Sequence, residues 1–204
     1  MQVPQQVPRP RVKKGTKASP DWHRTRYEPG GTRGYNQSVE FVLRDFRPQE
    51  FETVWRIDQN CFPPGVSYSR LELAAYLRRP GAFCQVAESS QTRGEISGTI
   101  LGFIVAETGS RGSGHIITID VLPNARGVGV GSSLLRAAEE RLRAANCHGV
   151  ILETAVDNRS ALSFYKRSQY HVVNTIPRYY SNGVDAFVLK KDLLSAPPPA
   201  NLPQ

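Results

Sequence analysis

The stretch from His115 to Leu135, HIITIDVLPNARGVGVGSSLL, constrains the fold of this chain more than any other segment. His115 to Leu122 is an apolar run rich in β-branched residues, the composition of a strand. Pro123 and Asn124 stop it, and Arg126-Gly127-Val128-Gly129-Val130-Gly131 follows directly. Leu134, Leu135, Ala138, Leu142 and Ala145 then recur at the spacing of one helix face. The unit reads strand, glycine-rich turn, helix.

Such a turn suits anion capture. The first N–H groups of a helix lack intrahelical partners, and the helix dipole adds about half a positive charge there. Glycines at 127, 129 and 131 remove the side chains that would hold a phosphate away, and Arg126 adds a full charge. A dinucleotide turn requires G-x-G-x-x-G, but here the glycines repeat every second residue; a P-loop requires Gly-Lys-Ser/Thr, and no lysine is present. The pattern Arg/Gln-x-x-Gly-x-Gly/Ala fits without a gap. It resembles the pyrophosphate-binding motif of the GNAT superfamily of N-acetyltransferases. That resemblance implies acetyl-coenzyme A as cosubstrate, held by Arg126, Gly127, Val128, Gly129, Val130, Gly131 and Ser132.

Most of the net charge of +8 belongs to the N-terminal segment, since residues 1–39 hold eight cationic and two acidic side chains, a balance of +6. Residues 1–38 are rich in Pro, Gly, Gln, Lys and Arg and almost devoid of aliphatic residues, so they read as a disordered tail. Its lysines and arginines, interleaved with Trp22, Tyr27 and Tyr35, suit contact with RNA; the plainer reading is a solvated tail. Three widely spaced cysteines and four scattered histidines argue against a disulfide framework and against a metal site. No segment reaches the roughly 20 apolar residues of a membrane helix. Without an apolar secretory run, the chain reads as cytoplasmic.

The expected domain runs from 39 to 194, with a Pro-rich tail over 195–204. Its first strand covers Phe41 to Phe46, and helices follow from Phe51 to Phe62 and from Ser67 to Leu77. Strands are expected over 83–88 and 99–107, then the central unit, a strand over 150–155, a helix over 158–167, and strands over 170–175 and 186–190. This order implies an α/β domain with a mixed sheet and helices on both faces.

Downstream lie Leu152-Glu153-Thr154, then Asn158 and Tyr165. With the turn, these make the segment Ile119 to Tyr180 resemble the ribosomal-protein N-terminal alanine acetyltransferase subfamily of the GNAT fold. The resemblance implies a mostly antiparallel sheet with a splayed strand pair. It makes Glu153 the general base, Tyr165 the proton donor to the leaving thiolate and Asn158 a cofactor contact. Ile119, Asp120 and Val121 become the strand that binds pantetheine, and Tyr179 and Tyr180 face the acceptor peptide. Each has a plainer reading: Glu153 as a solvated strand residue, Tyr165 as a core aromatic, Asn158 as a helix cap and the tyrosine pair as loop aromatics.

The chemistry fits these residue types. A free α-amine, with a pKa of about 7.7 to 8.0, is far more often neutral at pH 7 than a lysine near about 10.4. A carboxylate can take the proton as attack proceeds, directly or through water. The expected activity is direct acetyl transfer to a protein N-terminal α-amine, with a ribosomal protein as partner. The alternatives are transfer to a lysine, polyamine or other small amine, and a non-catalytic coenzyme A-binding module. Two departures stand out. Where the subfamily has Leu-Gly-Phe after the tyrosine helix, this chain has Ser168-Gln169-Tyr170, and Phe62-Pro63-Pro64-Gly65-Val66-Ser67 replaces Phe-Pro-Trp-Ser.

Overall fold

The structure is a computed structural model that describes residues 40–90 and 98–194. Both tail readings, and part of the polar connection between the second and third strands, lie outside the described residues. Among the described residues seven strands form one sheet: β1 (Phe41–Asp45), β2 (Ala82–Ser89), β3 (Ile100–Thr108), β4 (Ser113–Val121), β5 (Gly149–Ala155), β6 (His171–Ile176) and β7 (Ala186–Asp192). Their order is β1-β2-β3-β4-β5-β7-β6, antiparallel throughout except for the β4–β5 pair. Helices α1 (Phe51–Cys61) and α2 (Arg70–Leu77) precede β2; α3 (Val130–Ala144) joins β4 to β5, and α4 (Arg159–Arg167) follows β5.

Strand β3 is buried on both faces from Ile100 to Ala106, as its central position and unbroken apolar sequence require. One face packs Ile104, Ala106 and Ile116 against Leu134, Leu135, Ala138 and Leu142 of α3. The other packs Val86, Phe103 and Val105 against Val54 and Ile57 of α1 and Leu73 of α2. Gly114 is what lets α3 lie so close to β4: a Cβ there would stand 2.7 Å from a Leu142 methyl carbon.

The parallel pair is short. β4 and β5 register only at Ser113–Gly149, Gly114–Val150 and His115–Ile151. Beyond that point β4 stays with β3 as far as Val121, and β5 stays with β7 as far as Ala155. A bulge in the β3–β4 ladder, between the Val105 and Ala106 pairings, lies where the two strands part. Bulges of this kind bend a strand and increase its twist. The splayed pair expected from the family resemblance is therefore present.

Most boundaries differ from the sequence reading by a residue or two, and two of the differences have a visible cause. α2 starts at Arg70 rather than Ser67 because Ser69 is its cap. The Ser69 hydroxyl accepts from the Glu72 N–H at 3.3 Å, and Glu72 accepts from the Ser69 N–H at 2.9 Å. Tyr170 precedes β6 instead of opening it; its hydroxyl donates to buried Glu139, which also holds Lys191. The expected loss of a glycine stop after α4 has a structural consequence. Gln169 takes φ 69°, the left-handed conformation, and the Tyr170 N–H closes back on the Tyr165 carbonyl at 3.0 Å. A side chain there opposes the backbone by about 1 kcal/mol. Gln169→Gly is expected to raise the urea midpoint without changing its slope; a lowered midpoint would contradict this account of the turn.

Candidate active site

The gap between β4 and β5 opens into a cleft of about 710 Å³. α3 points its N-terminus into one end. Gly127 (φ 79°) and Gly129 (φ 97°) lead into that helix, and a Cβ at either would meet nothing within 4 Å. Unobstructed N–H groups at the start of a 15-residue helix, with no acidic side chain in its first turn, form an anion cradle. Arg126, Gly131 and Ser132 also line the cleft, and Arg126 is held in place by its Nε donating to the Val121 carbonyl at 2.9 Å. Val128 packs against the core and Val130 is 1% exposed, so the side chains of these two do not line the cleft and only their backbone can serve a ligand.

Ile119, Asp120 and Val121 form the β4 wall. The Val121 carbonyl faces the gap, where it accepts from Arg126 and from the Cys61 thiol. Backbone groups two residues apart point to the same side, so Ile119 presents its N–H and C=O to the gap as well. Asp120 differs from its neighbours because its carboxyl is buried. It accepts from the Thr118 hydroxyl at 3.2 Å, and burial, with Asp58 of α1 nearby, pushes its pKa well up. Asp58 itself is raised to about 6 by burial, opposed by the Tyr68 N–H and the Gln59 amide, which both donate to its Oδ2.

Glu153 stands on β5 just past the splay, its side chain 7% exposed. Its Oε2 lies 2.7 Å from His115 Nε2, and Oε1 is buried without a partner among the described residues. Sequence reasoning assigned His115 to a strand and gave it no role. The two residues are 38 apart in the chain, and only the β4–β5 register brings them together. His115 Nδ1 faces Glu107 Oε1 at 3.7 Å. Burial works against the imidazolium, yet the carboxylates of Glu107 and Glu153 beside it outweigh the burial and raise the His115 pKa to about 9.

Tyr165 of α4 lines the cleft from the opposite side, and burial raises its pKa and keeps the phenol protonated. Asn158 caps α4 through Oδ1, which accepts from the Ala161 N–H at 3.1 Å, and also lines the cleft. At the other mouth, Tyr179 and Tyr180 pack edge to face at 5.0 Å beside Phe62, Val66 and Tyr68. The sequence reading gave Tyr68 no role; its hydroxyl donates to the Ile117 carbonyl on the gap side of β4. The loops that carry these aromatics are tied together, as Ser181 Oγ donates to the Gly65 carbonyl at 3.0 Å.

The raised His115 pKa fixes a sign. Its pairing stabilises the fold fully below about pH 6.5, the unfolded value, and the contribution is lost as pH rises through about 9. Stability measured from pH 6.5 to 9 is therefore expected to fall, with a smaller slope in His115→Asn. An unchanged slope would contradict the pairing.

The chain matches the Acetyltransferase (GNAT) family over residues 51–169. It is 32% identical over 151 residues to an uncharacterized N-acetyltransferase of Methanocaldococcus jannaschii, covering 74% of this chain and 90% of that protein. An N-alpha-acetyltransferase of Sulfolobus acidocaldarius is 27% identical over 174 residues, covering 79% and 98%. Among solved structures, Ard1 from Thermoplasma volcanium superposes with a TM-score of 0.67 at 28% identity, covering 77% of this chain and 100% of that one. The open glycine cradle and the unpaired β4 edge fit acetyl-CoA, the donor of this family. This chain belongs to the GNAT acetyltransferase family and is an N-acetyltransferase.

Proposed function

We propose that the acceptor is the α-amine of a protein N-terminus. The observation that carries this reading is the bridged mouth beside Glu153, where the Ser181–Gly65 hydrogen bond ties together the loops bearing Phe62, Val66, Tyr179 and Tyr180. A bridged mouth admits a chain end from one direction. A lysine within an extended segment has backbone leaving on both sides and needs an open groove. The similarity to a relative named an N-alpha-acetyltransferase supports the same acceptor.

The residues divide the work as follows. Arg126 and the backbone from Gly127 to Ser132 would hold the pyrophosphate of acetyl-CoA, Asn158 would contact the same cosubstrate, and the Ile119–Val121 backbone would hold its pantetheine arm. Bound there, acetyl-CoA supplies an acetyl group activated as a thioester. Glu153 Oε1 takes the proton of the attacking amine, directly or through one water, while His115 fixes Oε2. The Tyr165 hydroxyl, protonated at neutral pH, supplies a proton to the departing sulfur. Both partners share one cleft, so transfer is direct.

The mouth is aromatic and apolar, which favours an uncharged first side chain over an acidic one. We place the reaction in the cytoplasm, carried out by a catalytic domain spanning 39–194, with a ribosomal protein as the favoured partner. The basic segment 1–38 would contact RNA; co-sedimentation with ribosomes unchanged by its deletion would overturn that part. The acceptor class is tested by thiol release from acetyl-CoA. Peptides with a free N-terminus are compared with N-blocked lysine peptides and with spermidine. Turnover is expected only with free N-termini, and more slowly when the first residue is acidic. Preferential turnover of spermidine or of blocked peptides would overturn the reading.

A further inference from the structure

Three acidic and basic side chains of the site lie in one row across the sheet, and an arginine ends it. Glu107 and His115 are direct cross-strand partners on β3 and β4. His115 in turn faces Ile151 on β5, and Glu153, two residues on, shares the Ile151 side of that strand. Arg79, just beyond α2, reaches Glu107 Oε1 at 3.4 Å and stacks on Tyr76. From the outer surface to the cleft the sequence is Arg79, Glu107, His115, Glu153, with charges that alternate.

We propose that Glu107 is a positioning residue for acetyl transfer: from β3 it holds His115 as a fixed cation, which leaves Glu153 with one oxygen tied and the other free for the acceptor amine. The proposal rests on the functional reading above. Nothing in the mechanism so far uses Glu107, which does not itself line the cleft.

Charge explains why the third member matters. With His115 protonated, Glu107, His115 and Glu153 carry one net negative charge. That is enough to attract an ammonium group and to take one proton from it, ending neutral. With His115 neutral, Glu153 loses the cation beside its Oε2, and its unbalanced charge stabilises the ammonium form of the amine, which cannot attack. Glu153 alone holds one imidazole nitrogen; Glu107 holds the other, which fixes the ring plane and its protonation. The remaining groups on this face are Tyr76 of α2 and Tyr179 and Tyr180 of the β6–β7 loop, all kept neutral by burial, and Arg79. None of them replaces the Glu107 charge.

The test compares pH–rate profiles of the full chain and Glu107→Gln, with acetyl-CoA and a free-N-terminus peptide that the wild type turns over. The alkaline limb of kcat is expected to move to lower pH by roughly one unit, with the KM for acetyl-CoA unchanged. Glu107→Asp restores part of the shift and gives the same readout should the glutamine variant not fold. In a His115→Asn background, Glu107→Gln is expected to have no further effect, because Glu107 acts through the imidazole. Superimposable profiles, or equal losses with and without His115, would overturn the proposal. A wild type that turns over no peptide would instead overturn the acceptor reading. In that case the His115 titration, followed by NMR with and without Glu107, still decides whether Glu107 fixes its charge.

Discussion

Strands β4 and β5 share three residue pairs and then part, and everything in the site depends on that separation. A continued parallel ladder would satisfy the inner edge of β4 and leave no room for a ligand. Because the strands diverge, the backbone of Ile119 faces an open cleft. A polar group shut away from both water and partners costs about 1 to 3 kcal/mol. The cleft avoids that cost because Ile119 lines an open space and is only partly buried. The same divergence gives the cleft the α3 N-terminus at one end and the enclosed Glu153 at the other, the two halves that the proposed two-substrate site needs. Outer partners hold the gap open: β4 is kept by β3 and β5 by β7, each by pairing that runs well past the splay.

Buried charge then organises the acceptor side. Asp58, Asp120, His115 and Glu153 are all largely enclosed, yet they are managed differently. His115 is shared between two carboxylates and stays cationic. Asp120, pressed against Asp58, is driven toward its neutral form by burial. Asp58 binds the Tyr68 N–H and so fixes the chain entering α2, which brings the Tyr68 hydroxyl to the β4 edge. These carboxyls thus shape the mouth, while Glu153 keeps a free oxygen inside it.

The sequence was readable where the information is local. The strand, glycine turn and helix were legible because their signals lie within about thirty residues, and Gly127 and Gly129 do adopt the left-handed backbone that glycine allows. Glu153, Asn158 and Tyr165 could be picked out because the family resemblance covers them, and all three line the cleft. His115 could not. Its contact with Glu153 depends on strand register, and nothing in residues 110–120 signals a partner 38 positions away. Asp58 and Asp120 were opaque for a different reason: single acidic residues in an amphipathic helix or strand look solvated until packing buries them. Alternation along β4 is the signal that would have helped with Asp120, since it shares a face with buried Thr118.

The central claim is that Glu153 acts chemically on the amine and does not merely hold the fold or the cofactor. The most direct measurement is single-turnover acetyl transfer by Glu153→Gln beside the wild type, with acetyl-CoA affinity measured on both. Glutamine preserves the shape and can still meet His115, but it cannot take a proton. The account predicts a rate lower by roughly 10²- to 10⁴-fold with acetyl-CoA affinity unchanged. A rate within a factor of about two of the wild type, at unchanged affinity, would contradict it.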